Sequence, residues 1–253
     1  MKSPLVYIGG KSILLKTIIP LIPDHQTYCE VFCGAAWVFF KKEPSKYEVI
    51  NDLDSDIITF YRVLQNHLEE FLKQFKWVLS SREFFEDWKR QQFAGGLTDI
   101  QKAARYYYLQ RHSFNGRVKG KNFSVRVMGR PHINLLRIEE ELSDVYLRLS
   151  RVVIENLKWQ ELIKRYDRPG TFFYLDPPYW KKPYYEHNLT PQDYNVMAHA
   201  LADIKGSFIL SINDVPEIRK IFSDFQIMPV SFAYSVSKKN TVGKELLISN
   251  NLF

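Results

Sequence analysis

Apolar residues recur along this chain in two rhythms, and the change from one to the other marks its organisation. Near the start, Lys11 to Ile22 has apolar residues at helical spacing and stops at Pro23, while Tyr28 to Phe32 is a short apolar run ending at Gly34. The pattern then predicts a short helix over Ala35 to Lys41 and a strand over Tyr47 to Ile50. A helix over Ser55 to Gln65 follows, opened by a serine cap. Strands alternating with helices imply a parallel sheet covered by helices.

From Leu68 the rhythm changes. Leu68 to Val78, Ser81 to Gln92 and Asp99 to His112 read as helices rich in charged and aromatic residues; a basic stretch containing glycine follows, and then a helix from His132 to Leu149. Alternation returns with apolar runs at Arg151 to Ile154, Thr171 to Leu175, Ser207 to Ser211, Phe225 to Val230 and Leu246 to Ser249. A polar loop separates the last two, which predicts an antiparallel pair at one end of the sheet. The expected fold is α/β, with helices on both faces of the sheet and a mainly helical insertion. The parts are 1–65 and 151–253 for the sheet and 66–150 for the insertion. There is no internal repeat and no low-complexity tract.

With 253 residues, of which 45% are hydrophobic, the chain can bury a sizeable core. No apolar run approaches the roughly 18 residues that span a bilayer, and no signal-like apolar stretch follows Met1, so an intracellular, cytoplasmic protein with no membrane partner is expected. Cys29 and Cys33 lie in or beside an apolar run, without a second pair at zinc spacing. They read as buried thiols, with neither a disulfide nor a metal expected.

Charge changes the picture more than composition does. Between Ile100 and Ile138 there are nine basic residues and no acidic one, while the rest of the chain holds 26 basic and 28 acidic residues. The whole positive excess thus belongs to the segment containing Arg111, Arg117, Lys119, Arg126 and Arg130. One-signed charge on an otherwise balanced protein suits a phosphate backbone, although a solvated basic face has the same composition.

Three features carry chemistry. In Phe32-Cys33-Gly34-Ala35-Ala36 a strand runs into small residues, which lets a ligand approach the backbone; in Asn51-Asp52 a carboxylate ends a strand, where it can accept both hydroxyls of a ribose. Each pattern also serves as an ordinary turn or helix cap. The third is sharper. In Phe172 to Tyr179 a buried strand ends in Asp176-Pro177-Pro178-Tyr179, where two prolines fix the backbone and remove two amide donors. The Asp176 carboxylate and a proline carbonyl can then hold both hydrogens of an exocyclic amine, with Tyr179 stacked on its base. Lys181 and Lys182 just beyond can hold phosphates or simply face solvent.

Together with Tyr7-Ile8-Gly9-Gly10-Lys11 and Asp56, these motifs resemble in content and order the Dam family of DNA adenine-N6 methyltransferases, the type II class marked by Asp-Pro-Pro-Tyr. The likeness spans almost the whole chain. It implies a Rossmann-like class I methyltransferase sheet, S-adenosylmethionine as methyl donor, no metal, and double-stranded DNA as partner. Tyr7, Lys11, Phe32, Gly34, Asp52 and Asp176 match cofactor positions, and Asp176, Pro177 and Tyr179 match the catalytic motif. Arg111-His112-Ser113-Phe114-Asn115-Gly116 is similar to the DNA-reading element, in which Phe114 wedges into the duplex and Asn115 contacts bases. The family's cofactor loop usually has glycine where this chain has Ala36. Members that read GATC have arginine where this chain has Lys119, and an ammonium does not replace the planar guanidinium fork on guanine. Arg117 is the neighbouring substitute, and the recognition sequence is left open.

The competing readings are methylation of cytosine N4, of RNA or of a protein glutamine, and a sequence-specific DNA binder that has lost catalysis. A companion restriction endonuclease and a solitary enzyme are both compatible with the sequence.

Overall fold

The computed structural model describes residues 1–7, 11–92, 94–113, 116, 120–124, 133–183, 185–233 and 242–250. Among the described residues seven strands form one sheet: β1 (Thr27–Glu30), β2 (Tyr47–Asn51), β3 (Val153–Glu155), β4 (Thr171–Leu175), β5 (Ser207–Asn213), β6 (Gln226–Ala233) and β7 (Val242–Ser249). Their order is β3-β2-β1-β4-β5-β7-β6. The first five run parallel, and β7 lies antiparallel between β5 and β6. This is the expected α/β sheet with its terminal antiparallel pair. The pair is longer than its apolar runs because polar residues such as Ser231 and Lys244 extend the ladder.

Period-two alternation gives the central strands two apolar faces. Tyr28, Phe172, Tyr174, Ile209 and Leu247 enter one core, while Cys29, Phe173, Leu175, Leu210 and Ile248 enter the other. All of β4 is buried, as its uninterrupted Thr-Phe-Phe-Tyr-Leu run requires.

Helices cover both faces. On the first lie α1 (Leu15–Ile18), α2 (Trp37–Lys41), α3 (Ser55–Asn66), α4 (Leu68–Lys73), α5 (Arg82–Gln91), α6 (Asp99–His112) and α7 (Ile138–Leu149). On the second lie α8 (Trp159–Tyr166), α9 (Pro191–Ala202) and α10 (Pro216–Ile221). Phe71, Phe85, Tyr107 and Leu142 of the helices between residues 66 and 150 belong to the same continuous core as the first sheet face. Ser81 accepts the Phe84 amide at 3.1 Å and Thr98 forms a capping box with Gln101, which fixes where α5 and α6 start.

Three local expectations are corrected. The helix over Lys11 to Ile22 is instead a 3-10 turn at Lys11–Ile13, the four-residue α1, and a second 3-10 turn at Ile19–Leu21 containing Pro20. A proline at that place withholds the amide a continuing α-helix needs. The cap of α3 is Asp54, whose carboxylate accepts the Asp56 amide at 2.9 Å, and Ser55 is the first helical residue. The last helix of the middle part starts at Ile138, not His132: residues 135–137 form a turn in which Asn134 accepts the Leu136 amide at 3.3 Å. His132 itself lies outside the described residues.

Cys29 and Cys33 are free and buried. No helix among the described residues is long and apolar enough to cross a membrane.

Candidate active site

Strand order reverses between β1 and β4, and such a reversal opens a crevice at the carboxyl ends of parallel strands. A cavity of about 490 Å³ occupies that place. Tyr7, Lys11, Phe32, Gly34, Asp52 and Asp176, singled out in the sequence from separate motifs, all line it.

The backbone of Gly34 has φ +47°, and a Cβ there would come within 3.2 Å of the Tyr7 ring. Glycine is therefore favoured both by conformation and by the close approach of Tyr7. Ala36 is also left-handed, with φ 52° and ψ 42°, which gives a physical reason for glycine at that family position. Asp52 follows β2, and its two oxygens accept the Gly34 amide at 2.8 Å and the Asp54 amide at 3.0 Å. Burial pushes its carboxyl up to about 6, against which these amides pull it down. Asn51 braces the same corner. Its amide donates to the carbonyls of Val31 at 2.9 Å and Leu157 at 3.1 Å, and its oxygen accepts the Leu157 amide at 2.8 Å.

Asp176 follows β4, and a quarter of its side chain is exposed to the cavity. The Lys11 ammonium stands 3.2 Å from its Oδ1, and the Ser211 hydroxyl of β5 lies 3.4 Å from the same atom. Burial pushes the Asp176 carboxyl up to about 6; Lys11 lowers it and Glu245 raises it. Lys11 is only 3% exposed. Burial alone would lower its pKa, but Asp176, Tyr179 and Glu245 together raise it well above the usual lysine value, so it stays an ammonium.

The motif itself is pinned from outside. Tyr194 of α9 donates its hydroxyl to the Pro178 carbonyl at 2.5 Å, and the Trp180 amide donates to Asn213 Oδ1 at 2.8 Å. Pro178 lines the cavity, and the half-buried Tyr179 turns its hydroxyl towards Lys11 and Glu245. Lys181 is in the left-handed region and pairs with Glu217 at 3.5 Å.

Sequence reasoning missed Glu245 and Tyr185. Glu245 is a buried carboxylate on β7 just before the apolar run, and a charged residue there reads as solvent-facing. Tyr185, in the loop after the motif, stacks on Tyr7 with centroids 6.2 Å apart and closes one side of the cavity; an aromatic in a polar loop was its only signal.

The DNA-reading candidates divide differently. Phe114, Asn115, Arg117, Lys119, Arg126 and Arg130 lie outside the described residues, as do Lys238 and Lys239 of the terminal hairpin loop. Arg111, at the end of α6, reaches the Pro4 carbonyl at 3.5 Å and lies over the Tyr107 ring. The other described cations of the basic segment also have partners within the chain. Lys102 pairs with Asp99, Arg105 donates to Gln91, the buried Lys121 lies over the Tyr106 ring, and Arg137 pairs with Glu140.

A family model described as D12 class N6 adenine-specific DNA methyltransferase matches residues 7–236. A type II methyltransferase, M1.LlaDCHI of Lactococcus lactis subsp. cremoris, is 28% identical in an alignment covering 96% of this chain and 93% of that protein. The DNA N-6-adenine-methyltransferase of Escherichia phage P1 is 25% identical over 94% of this chain, which spans 33% of that longer protein. A DNA adenine methylase of Vibrio cholerae is 25% identical over 69% of this chain and 64% of its own length.

Proposed function

Since the chain belongs to the D12 class N6 adenine-specific DNA methyltransferase family, we propose that it carries a methyl group from S-adenosylmethionine to the exocyclic amine of adenine in duplex DNA by direct transfer. The observation that carries this reading is the gathering of Tyr7, Lys11, Phe32, Gly34, Asp52 and Asp176 around one cavity.

The donor set fits that cofactor. Asp52, held rigid by two backbone amides, presents a carboxylate for the paired hydroxyls of the ribose. Gly34 offers bare backbone, Phe32 an apolar wall, and Tyr7 with Lys11 the surroundings of the methionine end. When bound, S-adenosylmethionine supplies a methyl group on a positively charged sulfur, an electrophile that needs positioning more than activation.

Asp176 and the Pro177 carbonyl accept the two hydrogens of the adenine amine and turn its nitrogen to the methyl group. The carbon–nitrogen bond would form as the sulfur–methyl bond breaks and the electron pair returns to sulfur. Positive charge then grows on nitrogen, the adjacent carboxylate stabilises it, and one amine proton is lost to solvent to give the neutral product. Tyr179 stacks on the base. Because the amine of a paired adenine lies inside the duplex, the base must be flipped into the cavity.

Residues 66–150 are the recognition segment of this reading, inserted between the catalytic parts 1–65 and 151–253. Phe114 fills the space the base leaves, Asn115 with Arg117 and Lys119 contacts base edges, and Arg126 and Arg130 serve the phosphate backbone, while Arg111 braces the element from within. The experiment is transfer of labelled methyl groups to duplex DNA, followed by digestion to nucleosides. The expected product is 6-methyladenine. Label found only in 4-methylcytosine, or no label from protein that binds the cofactor, overturns the reading.

A further inference from the structure

Glu245 lies on β7 opposite Asn213 of β5, and its side chain is 3% exposed. A carboxylate at that depth needs compensation. One of its oxygens takes the Lys11 ammonium at 2.5 Å, and the other accepts the hydroxyl of Tyr179. Lys11 also reaches the Tyr179 hydroxyl at 3.1 Å and Asp176 at 3.2 Å, and it sits 4.8 Å from the centre of the Tyr179 ring. Glu245 does not itself line the cavity. It holds from behind Lys11, which lines the cavity, and Tyr179 of the motif.

We propose that Glu245 is a positioning residue of the methyl-transfer site: it shares the Lys11 ammonium with Asp176, which keeps the group net negative, and it fixes the Tyr179 ring through its hydroxyl. The proposal rests on the adenine-methylation reading above.

Two carboxylates around one ammonium leave one negative charge facing the amine on which positive charge grows, and a preorganised field of that sign favours the transfer. Without the Glu245 charge, Lys11 would pair with Asp176 alone. The group would become neutral, and the ammonium would oppose the charge forming on nitrogen. A purely structural Glu245 would behave differently, because a glutamine of the same shape keeps a carbonyl for Lys11 and can still bond Tyr179 in the reverse sense, its amide donating to the Tyr179 hydroxyl.

The test compares wild type, Glu245→Gln and Glu245→Asp, each checked by thermal unfolding. The measurements are kcat, KM for DNA and cofactor, the pH profile, and the carboxyl carbon-13 titration of Asp176 in protein without cofactor. With Glu245→Gln, kcat falls about tenfold or more while both KM values stay within about threefold. The acidic limb and the Asp176 titration both move to lower pH by about one unit, as expected when a cation acts on the carboxylate alone. Glu245→Asp keeps the limb at its wild-type position and loses part of kcat. An unmoved limb and titration in Glu245→Gln, or an equal displacement in both variants, overturns the proposal. If Glu245→Gln does not fold, Glu245→Asp decides: lowered kcat with an unmoved limb supports the proposal, and unchanged kcat overturns it. Wild-type protein that makes no 6-methyladenine sinks the adenine-methylation reading, whereas the Asp176 titration still reports whether Glu245 acts on it.

Discussion

Gly116 lies so close to Val6 that a Cβ on it would come within 2.6 Å of the Val6 carbonyl oxygen and 2.7 Å of the Tyr7 amide nitrogen. Its φ of +63° is also one that only glycine adopts cheaply. Gln110 of α6 locks the pair by donating to the carbonyls of Val6 and Gly116, both at 2.7 Å. The end of the proposed DNA-reading element is thus clasped to the segment that carries Tyr7 over Gly34. Gly116→Ala is expected to cost about 2 kcal/mol or more of stability, from strain and backbone clash together. It also raises KM for the cofactor, because Tyr7 is displaced. Urea unfolding and steady-state kinetics check both, and an unchanged midpoint with an unchanged KM refutes the clasp.

Asp52 is already anchored by two amides, so its remaining acceptor sites are preorganised for hydroxyl donors. Asp52→Asn keeps the shape but gives up charge-assisted hydrogen bonds, which are about twice as strong as neutral ones. The expected result is a KM for S-adenosylmethionine raised about tenfold or more, with kcat changed far less, since the ribose takes no part in the bond change. Isothermal titration with the cofactor measures the same loss without turnover. A drop in kcat with unchanged cofactor affinity would place Asp52 elsewhere in the mechanism.

Asp176 titrates near 6 because burial raises its carboxyl above the usual value of 3.8. In the proposed mechanism the working form is the carboxylate, so activity is expected to be full above that pH and lost as pH falls through about 6. Lys11 stays protonated throughout, because its pKa is raised. Asp52 also titrates near 6, so kcat/KM for the cofactor should fall more steeply on the acid side than a single proton would give. Asp176→Asn abolishes turnover while DNA binding persists. Near-normal turnover in that variant would remove Asp176 from its role.

What the sequence disclosed and what it withheld follow from where each signal lies. Strand β4 is legible because burial on both faces demands a nearly continuous apolar run, and β1, β2 and β5 because apolar residues dominate theirs despite Glu30, Glu48 and Ser211; Asp52 and Asp176 are legible because they follow such strands. The region from Lys11 to Ile22 misled because its apolar spacing is helical, while Pro20 withholds the amide that would continue the helix. Glu245 was beyond local reading. Only the antiparallel insertion of β7 beside β5 brings it to Lys11, 234 positions earlier in the chain. Ala36 shows the intermediate case, in which the departure from glycine was visible but the left-handed backbone behind it was not.

Of the described cations between Ile100 and Ile138, Arg105, Arg111 and Lys121 are engaged inside the protein, while Lys102 and Arg137 form exposed pairs with neighbouring carboxylates. Arg126 and Arg130, in the remainder of the segment, are the proposed phosphate contacts. Each phosphate contact adds about one to the slope of log affinity against log salt, because binding releases condensed counterions. Arg126→Gln and Arg130→Gln are each expected to weaken duplex binding and flatten that slope by about one. Lys102→Gln, which only loses a surface pair with Asp99, should leave the slope as it was. Fluorescence anisotropy over a range of salt concentrations reads all three. If the two arginine variants keep the wild-type slope, those residues serve the fold and the phosphates are held elsewhere.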